Sequence, residues 1–182
     1  MTPKPFSGEH WGFDNGAYSY YLNGEPFNEA EYLKRLDRAY CKGPPYMAVC
    51  PDKVGAGLES LDFSEQWREK LPAEWPWYLA VQDGMAFSDV EPILGSYAGI
   101  FLGGTNAFKF TARPWREMAH RNGKLFHYGR AGTLKKVQHA TDVGADSLDS
   151  AFPLWTVQRF EQFIELVNVG HPQSRLTFME NA

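Results

Sequence analysis

Only two cysteines, Cys41 and Cys50, occur in the chain, and they do not form a CxxC pair. A disulfide framework or a cysteine-built zinc or redox site is therefore not expected, and both thiols read as buried side chains in a reducing compartment. Histidine is also sparse, at five residues. His127 and His139 have no companion at metal-ligand spacing and read as ordinary buried or surface histidines. No apolar run approaches the roughly 18 residues that span a bilayer. The opening MTPKPFSGEHWG lacks the apolar core of a signal peptide, so a cytoplasmic protein without membrane association is expected. Low-complexity tracts and linkers rich in Pro, Gly or Ser are missing too. YGRAG does not follow the GxxxxGK[ST] pattern of a phosphate-binding P-loop.

What remains is an ordinary globular composition. The 182 residues suffice for one core and are short for two, so residues 1–182 are read as a single domain, with 171–182 as a flexible tail. Hydrophobic residues at 43% and charged residues at 22% argue against disorder. The net charge of -4 is unevenly spread: residues 1–108 carry 8 Lys/Arg and 15 Asp/Glu, whereas residues 109–136 carry 8 Lys/Arg and one acid. Such a basic segment in an acidic chain sets up a local positive field, or else forms a solvated face with ordinary ion pairs.

Along the chain, short apolar runs alternate with amphipathic ones. Strands are expected at 11–18, 46–50, 77–82, 98–102, 125–129 and 147–151. Helices are expected at 28–40, capped by Asn28 with Glu31 and with Leu33, Leu36 and Tyr40 on one face, and at 61–71 with Leu61, Trp67 and Leu71 buried. A short helix or loop follows Ser88. Further helices are expected at 112–122, ended by Gly123, at 134–144, ended by Gly144, and at 156–169, with Val157, Phe160, Phe163, Ile164 and Val167 at helical spacing. This alternation predicts a parallel α/β domain.

The strands end in FDNG, CPDKVG, VQDG, LGGT, YGRAG and LDS. In parallel α/β folds those ends converge on one rim, where ligands bind. The acids there are Asp14, Asp52, Asp83, Asp146 and Asp149. Paired carboxylates suit acid/base work or nucleophilic attack at a glycosidic carbon, and also Mg²⁺ binding. Asp146 and Asp149 stand three apart, so an extended backbone turns only one of them toward the rim.

The ordered set WGFDNGAY, CPDKVG, AVQDG, GIFLGGT and FHYGRAGTLKKVQHATDVGADSLDS resembles the tRNA-guanine transglycosylase superfamily. It is most similar to the phage-borne, DNA-acting branch that inserts 7-deazaguanine bases. The likeness runs from about residue 11 to residue 155. It implies a TIM-barrel-like (β/α) fold and exchange of guanine in nucleic acid for a 7-deazaguanine base through a covalent glycosyl-enzyme intermediate, with no cofactor. It further implies Asp149 as nucleophile, Asp14 as acid/base, and Asp52, Gln82, Gly84, Gly103 and Gly104 as base-binding residues. Arg130, in the GR turn, joins Arg113, Arg116, Lys124, Lys135 and Lys136 of the basic segment as candidate nucleic-acid contacts. The tRNA-acting members carry a cysteine-rich zinc subdomain after the nucleophile. With only Cys41 and Cys50, both upstream, no structural zinc is expected and DNA is favoured over tRNA. If phage-encoded, the protein would work in the host cytoplasm. Fewer than eight strands are counted, so a homodimer or a partner protein covering the open barrel edge is expected. Two other readings use the same residues: a metal-dependent hydrolase on this scaffold, and a nucleic-acid-binding module without catalysis.

Overall fold

A computed structural model of the protein describes residues 11–170. The expected tail at 171–182 lies outside the described residues, as do the first ten. Six strands form one sheet in simple sequence order: β1 (Gly12–Phe13), β2 (Met47–Val49), β3 (Trp77–Val81), β4 (Gly99–Leu102), β5 (Leu125–Tyr128) and β6 (Ser147–Leu148). Every neighbouring pair is parallel. The sheet curls into a half-barrel, so the fold is TIM-barrel-like with fewer than eight strands.

Helices connect the strands: α1 (Ala17–Asn23) and α2 (Glu29–Tyr40), α3 (Leu58–Arg68), the short α4 (Phe87–Val90), α5 (Asn106–Lys109) and α6 (Ala112–Arg121), α7 (Leu134–Asp142), and finally α8 (Val157–Gly170). The sequence reading missed α1 and α5. Both are a turn or two long and follow strand-end loops, too short for a helical period to show. The glycine stops hold: Gly123 and Gly144 adopt φ of 67° and 71° just beyond α6 and α7, a conformation that glycine reaches without strain.

Register explains how one sheet makes two different faces. Leu79, Ile100 and Phe126 are hydrogen-bonded neighbours across β3–β5, wholly buried under the outer helices. One residue along, Ala80, Phe101, His127 and Ser147 form the corresponding rung on the concave face. Because side chains alternate along a strand, the next concave layer is Gln82, Gly103, Gly129 and Asp149. These positions fall just past the strand ends. A side chain at Gly129 would strike the Phe101 ring, so glycine there keeps the concave layer open.

Several expected faces shift. In α2 the buried residues are Tyr32, Leu36 and Ala39, whereas Leu33 and Tyr40 are exposed. Tyr32 sits 5.2 Å from the Trp67 ring, and Tyr40 instead lies over Trp75 at the surface with its hydroxyl on Glu74. Asn28 does cap this helix, accepting from the Glu31 amide. The Glu31 carboxylate is taken by the Tyr20 hydroxyl. Helix α3 starts three residues earlier than expected but buries Leu61 and Trp67 as read, with Leu71 buried just beyond it. The cap of α4 comes from Asp89, whose carboxylate accepts from the Ala86 amide, and not from Ser88. Of the two thiols only Cys50 is buried, and Cys41 is exposed at the end of α2. In α8 the apolar stripe divides: Phe163 packs against the core, but Val157 and Phe160 are 76% and 52% exposed. Leu154 and Trp155, in the segment between β6 and α8, are exposed as well. Among the described residues no helix is long and apolar enough to cross a membrane.

Candidate active site

The concave face opens at the strand C-termini into a cavity of about 350 Å³. Asp14, Asp52, Gln82, Gly103, Gly104, Arg130 and Asp149 all line it, together with Tyr18, Phe101 and His127. Seven of the positions singled out in the sequence therefore meet at one place. They come from all six strand ends, as convergence at a parallel rim requires.

Asp149 leaves β6 and carries its carboxylate to the floor of the cavity. Oδ1 accepts from His127 Nε2 at 3.0 Å and from the Arg130 amide at 2.9 Å. Half of the side-chain surface, 52%, stays open. A carboxylate only accepts, so Nε2 of His127 carries the proton and Nδ1 faces the Ser147 hydroxyl at 2.8 Å. Phe101 stacks on the imidazole with centroids 5.0 Å apart and fixes its plane. Burial alone would raise the Asp149 pKa. The bonds from His127 and the Arg130 amide outweigh it, aided by the charges of His127 and Lys109, and hold the carboxyl below its ordinary value. To aim its amide at Asp149, Arg130 takes φ of 52°, a left-handed conformation uncommon for a residue with a side chain. Its guanidinium crosses the mouth of the cavity, bonds Gly104 O at 3.2 Å and lies 3.7 Å over the Tyr18 ring.

Asp52 is the opposite case. It lies beyond β2 and is only 9% exposed. Burial pushes its carboxyl up, the Asn15 side chain pulls it down, the nearby Asp14 charge raises it and Arg130 lowers it, leaving it at about 6. Asn15 bridges its amide to Asp52 Oδ1 and Cys50 O, each at 2.7 Å. Asp14 is exposed at the rim, with Oδ1 accepting from the Gly16 amide at 3.2 Å. Its backbone carbonyl is held by Arg35 of α2 at 2.7 Å.

Gln82 is buried and spent in part on the fold: its carbonyl accepts from the Gly55 amide at 2.6 Å and its amide donates to Lys53 O at 2.8 Å. It thereby pins the loop that carries Asp52. Gly84 turns the chain after β3 with φ of 86° and faces Gly57 outside the cavity wall. Asp83 is tied to the Thr105 amide and hydroxyl, both at 2.7 Å.

The basic segment does not act as one face. Arg113 and Arg116 reach the carbonyls of Asp142 and Gly144 at the end of α7. Lys124 stands before β5, at the opposite end of the strand from the cavity, and donates to Gly95 O and Tyr97 O. Lys135 lies over the Phe110 ring. Only Arg130 lines the cavity, while Lys136 lines its neighbour. The sequence reading missed the contact of His127 with Asp149, and missed Asn15. The available signal was alternation: His127 precedes Gly129 by two residues and so shares the concave face.

Asp146 points the other way, as an extended SLDS segment demands. Its Oδ2 accepts from His120 Nε2 at 2.8 Å and from the Phe126 amide at 2.7 Å. An Asp146→Asn variant is expected to lose about 1 kcal/mol of stability through the weakened charge-assisted bond while any activity of the cavity stays near wild type. Urea titration beside the assay checks this. Among the described residues, no group of three or more His, Cys, Asp or Glu is placed to hold a metal ion. Comparison with family models, with curated proteins and with solved structures finds no match.

Proposed function

We propose that the protein is a base-exchanging transglycosylase acting on guanine in nucleic acid, DNA in preference to tRNA, and inserting a 7-deazaguanine base. The observation that carries this reading is the placement of two carboxyls in one cavity in unlike surroundings: Asp149 is half open and accepts from His127 and the Arg130 amide, whereas Asp52 is buried beside Asn15. Chemistry at a glycosidic carbon needs such a pair, one group to attack and one to handle a proton. The cavity of about 350 Å³ lies near the lower end of small-molecule pockets, roughly 300–1,000 Å³, and suits a single nucleoside better than a longer segment. Phe101 and Tyr18 offer flat walls to a planar base.

In this mechanism a carboxylate oxygen of Asp149 bonds to C1′ as the C1′–N9 bond breaks, and its electron pair leaves with guanine. The departing base takes a proton from the Asp52–Asp14 pair. The incoming 7-deazaguanine returns a proton to that pair as its ring nitrogen attacks C1′ and frees Asp149. The resemblance assigns the acid/base role to Asp14. The burial of Asp52 favours sharing that role between the two, with exposed Asp14 passing protons to solvent. A target base in a duplex must first be flipped out.

The direct test is incubation with labelled 7-deazaguanine bases and, separately, DNA and tRNA. Label should enter DNA with stoichiometric release of guanine. No incorporation into either polymer would refute the reading. A homodimer belongs to the same proposal, because Leu154, Trp155, Val157 and Phe160 are apolar and exposed, and a second copy would cover them. Light scattering is expected to give twice the chain mass, falling to one in Trp155→Glu. A monomeric wild type would remove this part alone.

A further inference from the structure

A second cavity, of about 520 Å³, adjoins the first and shares Tyr18, Gln82, Gly104 and Arg130 with it. Lys109 and Lys136 complete its positive lining. Lys109 ends α5 and is 2% exposed. Its ammonium donates to Gly129 O and lies 5.7 Å over the Tyr128 ring. Among the described residues no carboxylate forms an ion pair with it. Asp83, on the same wall, already has both oxygens taken by Thr105. A buried ammonium without a counter-charge is costly. Burial, then the charges of Arg130 and Lys136, lower this one to about 7 against the pull of Asp149. The fold thus keeps a cation whose cost an incoming anion would remove.

We propose that this second cavity is a phosphate subsite, in which Lys109, Arg130 and Lys136 hold one phosphate attached to the nucleoside seated at Asp149. The proposal rests on reading the first cavity as a base-exchange site. A phosphate offers oxygens to donors arriving from several directions, and the end of α5, the β5–α7 turn and the first turn of α7 bring these cations to it. Arg130 spans both cavities, so one residue would link base and phosphate recognition. Tyr18 and Tyr21 lie parallel on the same wall, 6.2 Å apart, and present a ring face to a neighbouring base.

The experiment compares binding of deoxyguanosine, its 3′- and 5′-monophosphates, and inorganic phosphate alone, by calorimetry at matched ionic strength. One monophosphate should bind at least about tenfold more tightly than the nucleoside. Lys109→Met should erase that advantage, leave nucleoside binding unchanged and unfold at the same or a higher temperature. If Lys109→Met does not fold, Lys136→Gln serves, with part of the advantage expected to go. Asp149→Asn should keep the advantage in full, so loss of exchange chemistry and loss of phosphate binding are separable. The proposal is overturned if neither monophosphate outbinds the nucleoside, if the advantage survives in both lysine variants, or if inorganic phosphate binds at Lys109 while the nucleotides gain nothing.

Discussion

Asp149→Asn is expected to reduce base exchange by at least about 10⁴-fold, the scale on which loss of a covalent nucleophile is felt. The substitution is close to isosteric. Asparagine keeps an oxygen that can accept from the Arg130 amide and His127 Nε2, which hold Asp149 at 2.9 and 3.0 Å. What it lacks is the negative charge that attacks C1′ and balances positive character there. Stability should fall by only about 1–2 kcal/mol, as charge-assisted hydrogen bonds become neutral ones. The wild type should yield a protein–nucleic acid adduct that survives denaturation, and Asp149→Asn should yield none. Asp14→Asn should slow exchange yet still form the adduct, with nucleic-acid binding largely kept. A variant at 149 that retained a tenth of wild-type turnover would remove Asp149 from the chemistry and leave the binding-module reading in front.

The parts of this arrangement that were legible in sequence share a physical cause. Alternation of short apolar runs with amphipathic ones announced six parallel strands in order. The polar or glycine-rich residues after each strand announced a common rim, where Asp14, Asp52, Gln82, Gly103, Gly104, Arg130 and Asp149 now line one cavity. The opposite directions of Asp146 and Asp149 followed from backbone geometry alone. What stayed hidden depends on the curl of the sheet and on neighbours distant in sequence. Nothing local in LFHYG says that His127 will meet a carboxylate 22 positions on. Nor does NAFKF say that Lys109 will turn inward while Lys124 and Lys135 stay on other surfaces. The surface apolar residues of α2 and α8 misled for the same reason. Helical spacing marks a face but cannot say that Tyr40 will lie over Trp75, or that Val157 will stay exposed.

Asp52→Asn is expected to move stability and activity in opposite directions, with a pH signature for each. Burial pushes the folded carboxyl up to about 6, above the usual carboxylate range, so the fold favours its neutral form. A pKa raised in this way contributes stability that is fully present below about pH 4 and is lost as pH rises through 6. At pH 8 the native state carries a buried charge, and folding stability is lower by about 3 kcal/mol than it is at acid pH. Asparagine is neutral at every pH and still offers the oxygen that receives the Asn15 amide. The variant should therefore be more stable than wild type by up to about 3 kcal/mol at pH 8, by slightly less at pH 6, and by well under about 1 kcal/mol at pH 4. Urea titrations at the three pH values read this directly, and a difference independent of pH would show that the carboxyl is not buried in its charged form. Exchange activity should drop by about 10²–10⁴-fold, the usual reach of a proton-handling group. In wild type it should decline above pH 6 as Asp52 loses its proton. A residue whose replacement strengthens the fold and disables the reaction is one the packing alone would not keep.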